Sequence, residues 1–165
     1  YCNWNSRKEV LSPCYTMSGR NVSANLNANG YRLPTEAEWE WAARGGSSSR
    51  GYTYAGGSDP VTVAWYYGNS HDRTHPVETK TPNELGIYDL SGNVWEWCWD
   101  WYGAYSASSQ TDPTDPAGIS SESSRVFRGG GWCNDSNDLR VSYRNLDKPD
   151  YSDYSLGFRL SRRAE

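Results

Sequence analysis

Trp95, Trp97 and Trp99 stand at every second position of one segment, with Glu96 and Cys98 between them. A period of two fits a β-strand, whose successive side chains leave opposite faces, so the spacing predicts a strand carrying these three indoles on one side. The tight-turn residues Ser91, Gly92 and Asn93 lead into it. Nine Trp and thirteen Tyr against two Phe carry the same theme through the chain. These rings bury large areas but bring a polar tip that needs a partner, which suits a loop-rich fold with many interior backbone groups. The rings are expected to build a core rather than a binding surface. A length of 165 residues suits one such core, and neither a repeat nor a linker interrupts it, so a single domain over residues 1–165 is expected.

Other classes are disfavoured. Sixteen Lys and Arg against twenty Asp and Glu leave no basic surplus for nucleic acid. No apolar run approaches the roughly 20 residues that span a bilayer. Tyr1 opens directly onto a helical pattern, Tyr1–Ser12, so the true N-terminus, with any targeting signal, is expected to lie upstream. The four cysteines, Cys2, Cys14, Cys98 and Cys133, show no zinc spacing. Cys2 and Cys14 fit either a disulfide or two buried thiols.

Along the chain, residues 18–30 read as a loop or hairpin. Thr35 with Glu38 forms a capping box opening a helix, Ala37, Trp41 and Ala42 share a face, and Gly45 and Gly46 stop it. Residues 51–84 are turn-rich, residues 103–124 a Ser/Pro/Asp-rich loop, Arg125–Trp132 contains a core strand, and Leu156–Ser161 a closing one.

Three blocks carry a family resemblance: Tyr31-Arg32-Leu33-Pro34-Thr35-Glu36-Ala37-Glu38-Trp39-Glu40, then Gly86 through Trp97, then Arg125-Val126-Phe127-Arg128-Gly129-Gly130 with a closing Gly157-Phe158-Arg159-Leu160. In order and spacing they resemble the formylglycine-generating enzyme (sulfatase-modifying factor) family. The resemblance implies an α+β fold of the C-type lectin kind, with a small antiparallel sheet, few helices and much irregular chain, and the family's first strand is expected to be missing from this chain.

The family includes enzymes and non-enzymes, so fold leaves function open. The resemblance implies that its enzymes oxidise a substrate cysteine with Cu(I) held by two cysteines just after the Gly-rich strand. Cys133 stands near the first position, but residues 134–140 hold no second cysteine, and Cu(I) prefers soft thiolates. Cys98 belongs to another element and is expected to be buried beside the Trp strand. A second branch resembles iron-dependent sulfoxide synthases, which need several histidines. Only His71 and His75 are present, and they read as loop residues. Calcium fits better: Asp89 and Glu96 flank a turn that can aim carbonyls at one point. The family's calcium site maps onto the Asp89 and Glu96 side chains and the Gly92 and Val94 carbonyls. The alternative is that Asp89 caps a turn and Glu96 pairs with an arginine.

Residues 133–155 depart from the pattern. Fifteen of these 23 residues are Asn, Asp, Ser or Tyr. Substituting adenines in Asn codons yields the other three amino acids, which resembles the variable regions of proteins diversified by retroelements, some built on this family's scaffold. The candidate variable region spans residues 127–159. Arg140, Val141, Ser142, Arg144, Pro149 and Leu156–Arg159 would be scaffold. Phe127, Asn134, Asp135, Asn137, Asp138, Tyr143, Asn145, Asp147, Asp150, Tyr151, Asp153 and Tyr154 are expected to face a ligand. Tyr supplies rigid contact area and the others adaptable hydrogen bonds, as in antibody paratopes. The alternative is an ordinary polar loop. The expected function is non-catalytic binding of a protein or cell-surface ligand at a bacterial surface or in the periplasm, with a lipid anchor upstream of residue 1 as one means of attachment. A copper-dependent oxidase and an inactive accessory module are the alternatives.

Overall fold

The computed structural model describes residues 10–19, 21–105 and 124–163. Cys2, most of the expected opening helix and most of the 103–124 loop lie outside the described residues. Val10–Ser12, the last residues of that expected helix, are not helical. No helix among the described residues is long and apolar enough to cross a membrane. The chain forms two compact units, one of residues 1–34 with 159–165, the other of residues 35–158.

In the first unit, β1 (Tyr15–Ser18) and β2 (Asn21–Ala24) form an antiparallel hairpin with Tyr15 opposite Ala24. It begins three residues before the expected loop. Gly19 sits in the connection with φ 62°, where an L side chain is strained. The Cys14 thiol is buried and donates to the Gly30 carbonyl at 3.1 Å. The two ends of the unit are tied by a reciprocal backbone pair between Arg32 and Ser161, 2.9 and 2.8 Å.

The second unit opens with α1 (Glu36–Ala43). The capping box forms: Thr35 Oγ1 accepts from Glu38 N at 3.2 Å, and Glu38 Oε2 accepts from Thr35 N at 2.8 Å. The buried side of α1 is Glu36, Trp39 and Ala43, and the face shared by Ala37, Trp41 and Ala42 is the more open one. Trp41 is 58% exposed. The helix is turned this way because Glu36 and Trp39 find charged and polar partners inside. α2 (Pro60–Val63) is a single turn capped by Asp59.

Four strands then make one sheet, in the order β5-β4-β3-β6: β3 (Trp95–Trp101), β4 (Arg125–Arg128), β5 (Asn145–Asp147) and β6 (Leu156–Phe158). The β3–β4 and β4–β5 pairings are antiparallel, but β3–β6 is parallel. The sheet is small, as expected, but mixed: the long path from β4 to β6 gives the chain room to return in the same direction as β3. Below the sheet lies a core of Trp39, Ala43, Ala55, Leu90, Cys98, Val126 and Val141, and a second cluster gathers Tyr54, Val63, Ala64 and Leu139.

Candidate ligand-binding face

The alternation in β3 divides its residues as the spacing predicts, but the polar set is the buried one. Glu96, Cys98 and Asp100 are buried, whereas Trp97, Trp99 and Trp101 are half-exposed. Buried carboxylates need donors, and the inner side supplies them. Glu96 Oε2 accepts from the Trp39 indole at 2.8 Å, and Asp100 Oδ2 from the Glu36 amide at 2.7 Å. Arg128 on β4, fully buried, binds Glu36 and reaches Glu40 at 2.6 Å and the Val141 carbonyl at 2.7 Å. Arg144 grips both Glu36 oxygens at 2.6 and 2.7 Å, its guanidinium lying against Tyr102 and Tyr105. Cys98 is sealed in this interior, as expected, and burial raises its thiol pKa well above the ordinary value.

The outer side follows from register, since cross-strand partners share a face. Trp97 pairs with Phe127 and with Phe158, and Phe127 with Asn145. One line across all four strands thus reads Asn145, Phe127, Trp97, Phe158. Arg125 pairs with both Trp101 and Asp147. Its guanidinium lies 4.2 Å above the Trp99 ring and 3.9 Å above Trp101. Phe158 is 66% exposed. Sequence reasoning missed Trp97, Trp99, Trp101, Arg125 and Phe158 as surface residues. The signal was present in the acidic residues alternating with the indoles, but hydrophobicity alone assigns the rings to the interior.

The expected ligand residues divide into two groups. Phe127 is corrected: it is 5% exposed, with its ring edge-on to Trp95 and Trp97 at 5.2 and 5.1 Å. Although it points outward, neighbouring indoles cover it. Asn134 is also a structural bracket. Its Oδ1 accepts from Trp95 Nε1 at 2.9 Å and Gly131 N at 3.0 Å, its Nδ2 donates to Asp138 at 3.2 Å, and its carbonyl accepts from Tyr67 N at 3.0 Å. Asp138 and Tyr143 are half-buried beside it, and the Tyr143 ring is 6.0 Å from Trp95. Burial, then the Asp138 charge, raises the Tyr143 pKa.

The rest are more open. Asp135, Asn137, Asp150, Tyr151 and Tyr154 are exposed, and Asn145, Asp147 and Asp153 half-exposed. Tyr154, at 74%, lies against Trp132 with ring centres 5.5 Å apart. Asp153 accepts from the Ser155 hydroxyl and amide, bonds that hold its carboxyl below the usual value. The Asp153 charge foremost, then burial and the Asp147 charge, raises the Tyr151 pKa. Of the residues expected to be scaffold, Val141 belongs to the core and Arg144 to the buried ion network, whereas Arg140, Ser142, Pro149 and Phe158 are exposed.

The metal candidates meet other partners. Asp89, at φ 58°, accepts the Glu78 amide at 2.9 Å, the turn-capping alternative, and Glu96 accepts the Trp39 indole. Gly92 holds φ 80° and donates to the Gly129 carbonyl at 2.8 Å, and Val94 is half-buried. His75 stacks on Trp65 at 3.7 Å and its Nε2 donates to the Ser70 carbonyl at 2.7 Å, which makes it a structural residue. Cys133 is half-buried. Among the described residues no group of three or more His, Cys, Asp or Glu is placed to hold a metal.

Comparison with known proteins agrees with this architecture. The family described as "Sulfatase-modifying factor enzyme 1-like domain" matches residues 1–164. The chain is 38% identical to the "Chaperone protein LppX" of Paenibacillus barcinonensis, over 87% of this chain and 58% of that protein. It is 39% identical to the "Formylglycine-generating enzyme" of Streptomyces coelicolor, over 93% of this chain and 53% of that one. It thus spans little more than half the length of these curated relatives. Among solved structures, "Treponema denticola variable protein 1" superposes with a TM-score of 0.82 at 36% identity, covering 93% of this chain and 63% of that one.

Proposed function

Since the chain belongs to the sulfatase-modifying factor enzyme 1-like family, whose members include enzymes, we propose that it occupies the family's non-catalytic side: a displayed binding protein whose ligand surface is the diversified 127–159 region. One observation carries this reading. The segment turns Val141 and Arg144 inward as fixed anchors and leaves Asp135, Asn137, Asp150, Tyr151 and Tyr154 outside, where exchange costs the fold little. The likeness to a variable protein of Treponema denticola supports it. Display at a bacterial surface or in the periplasm follows from the need to meet ligands.

The catalytic alternative rests on Cys133, and no cysteine occupies residues 134–140 to complete a two-thiolate copper site. Calcium at Asp89, Gly92, Val94 and Glu96 remains a separate proposal. One oxygen of each carboxylate accepts a protein hydrogen bond, Asp89 Oδ2 from Glu78 N and Glu96 Oε2 from Trp39 Nε1; an unchanged Tm in EDTA together with no Ca2+ binding by calorimetry would overturn it.

The test is to sequence the DNA flanking the gene. A near-copy of codons 127–159 differing at adenines, beside a reverse-transcriptase gene, is the expected result. Absence of any such copy, together with tight Cu(I) binding and oxidation of a thiol peptide, would replace this reading with the enzyme.

A further inference from the structure

The two sheets of the chain guard their edges differently. In the larger one, the edge strand β5 is three residues long and runs straight into Lys148 and Pro149. A short strand, a charge and a proline are the usual means of keeping an edge from pairing with another chain. The hairpin strand β2 has no such guard. Neither it nor the residues after it, up to Tyr31, hold a charge or a proline, and from Val10 to Tyr31 the only charged residue is Arg20. This is the most neutral stretch of a chain with 16 Lys and Arg and 20 Asp and Glu.

The hydrogen bonding shows what that edge presents. Asn25 N donates to the Cys14 carbonyl at 2.8 Å, one step beyond the Tyr15–Ala24 pair, so Cys14 and Asn25 are a hydrogen-bonded pair. Bonded and non-bonded pairs alternate along an antiparallel ladder. Thr16–Ser23 and Ser18–Asn21 are therefore bonded across the hairpin, and Val22 and Ala24 turn their N–H and C=O groups to the outer edge. Among the described residues β2 pairs with β1 alone, and Asn21, Val22 and Ser23 are exposed. The side chains obey the same alternation. Tyr15, Met17, Val22 and Ala24 share one face, on which Met17 and Val22 stand opposite each other, 63% and 43% exposed. A two-stranded ribbon with an open apolar face gains from a further strand.

We infer that β2 is a docking edge for a second copy of this chain, the two β2 strands pairing antiparallel about a two-fold axis at Ser23. In that register the partner's Ala24 stands opposite Val22, and their outward N–H and C=O groups satisfy one another. The axis is perpendicular to the sheet, so both apolar faces come to the same side, and Met17 and Val22 join their counterparts in one stripe. Charge argues for a second copy as the occupant. A strongly charged partner finds no counter-charge on β2, whereas two copies, each of net charge −4, meet through the stretch that carries least of it. The edge is short, so the association is weak and depends on concentration.

The test is sedimentation equilibrium of the full chain over rising concentration. A reversible monomer–dimer equilibrium is expected, and added salt should not weaken it. Ser23 and the partner's Ser23 form a non-bonded pair with close backbones, so Ser23→Cys should give a disulfide-linked dimer under mild oxidation. Thr16→Cys, on the far strand, should link no more than the wild type does. Val22→Pro removes only an N–H that points away from β1, and Val22→Lys places a charge on the edge. Each should raise the dimer Kd about tenfold or more while circular dichroism shows a folded monomer. A monomer at every concentration would overturn the inference. So would linking at Thr16→Cys as fast as at Ser23→Cys, a dimer that salt dissociates, or one indifferent to both Val22 substitutions.

Discussion

The two faces of β3 are built from alternate residues of one seven-residue strand, and they follow opposite rules. Inside, carboxylates are sealed from water and each described contact is met by a donor from far along the chain: Trp39 to Glu96, Arg128 and Arg144 to Glu36. Outside, large rings sit half in water, with the Arg125 guanidinium lying over Trp99 and Trp101. The difference shows that partners, not side-chain polarity, decided which face of this strand was buried. It also separates two settings for a charge: the inner ones are sealed among hydrogen-bond donors, and Arg125 on the outer side rests on rings that border water.

The largest effect expected of this contrast is Arg128→Ala. It leaves Glu36 and Glu40 short of their buried partner, and urea unfolding should show a loss of about 3–5 kcal/mol, the range for breaking a buried pair. A loss below about 1 kcal/mol, the level of a surface ion pair, would break the contrast. Acid should act on the same network. Burial works against the Glu40 charge, but Arg128 and Arg44 outweigh it and hold its pKa below the ordinary value. Its contribution is therefore complete above the unfolded-state pKa and disappears as pH falls through the lower folded one. The wild type should lose more stability across that window than Glu40→Gln does. Next in size is Trp39→Phe, which takes the indole donor from buried Glu96 and should cost about 1–3 kcal/mol. Thr35→Ala removes the capping bond to Glu38 and should cost about 1 kcal/mol. Smallest is the outer face: Tyr151→Ser with Tyr154→Ser should stay within about 0.5 kcal/mol of wild type in the same melts.

Much of the framework was legible in the residues. The capping box at Thr35 and Glu38, the period-two strand at Trp95–Trp99 and the three family blocks act locally, within a few residues or a strand length. What was not legible depends on distant partners. The Glu36–Arg128 bond joins residues 92 apart, and Glu36–Arg144 residues 108 apart. Without those arginines in view, nothing near Glu36 in the chain says that its side of α1 is the buried one. Phe127 was expected to face a ligand, yet Trp95 and Trp97 close over it. Asn134 carries the same label as its variable-looking neighbours, and only its side-chain bonds reveal it as a bracket. Asp135, Asp150, Tyr151 and Tyr154, by contrast, were readable because exposed turn residues need no partner to be placed.

The outward set of indoles also makes the molecule its own optical gauge. Trp39 lies sealed against Glu96 and Arg128, whereas Trp97, Trp99 and Trp101 border water. The chain therefore emits from two unlike populations, one blue and shielded, one red and open to soluble quenchers. An arriving occupant would darken or shift the second and leave the first as an internal standard, reporting contact without a label.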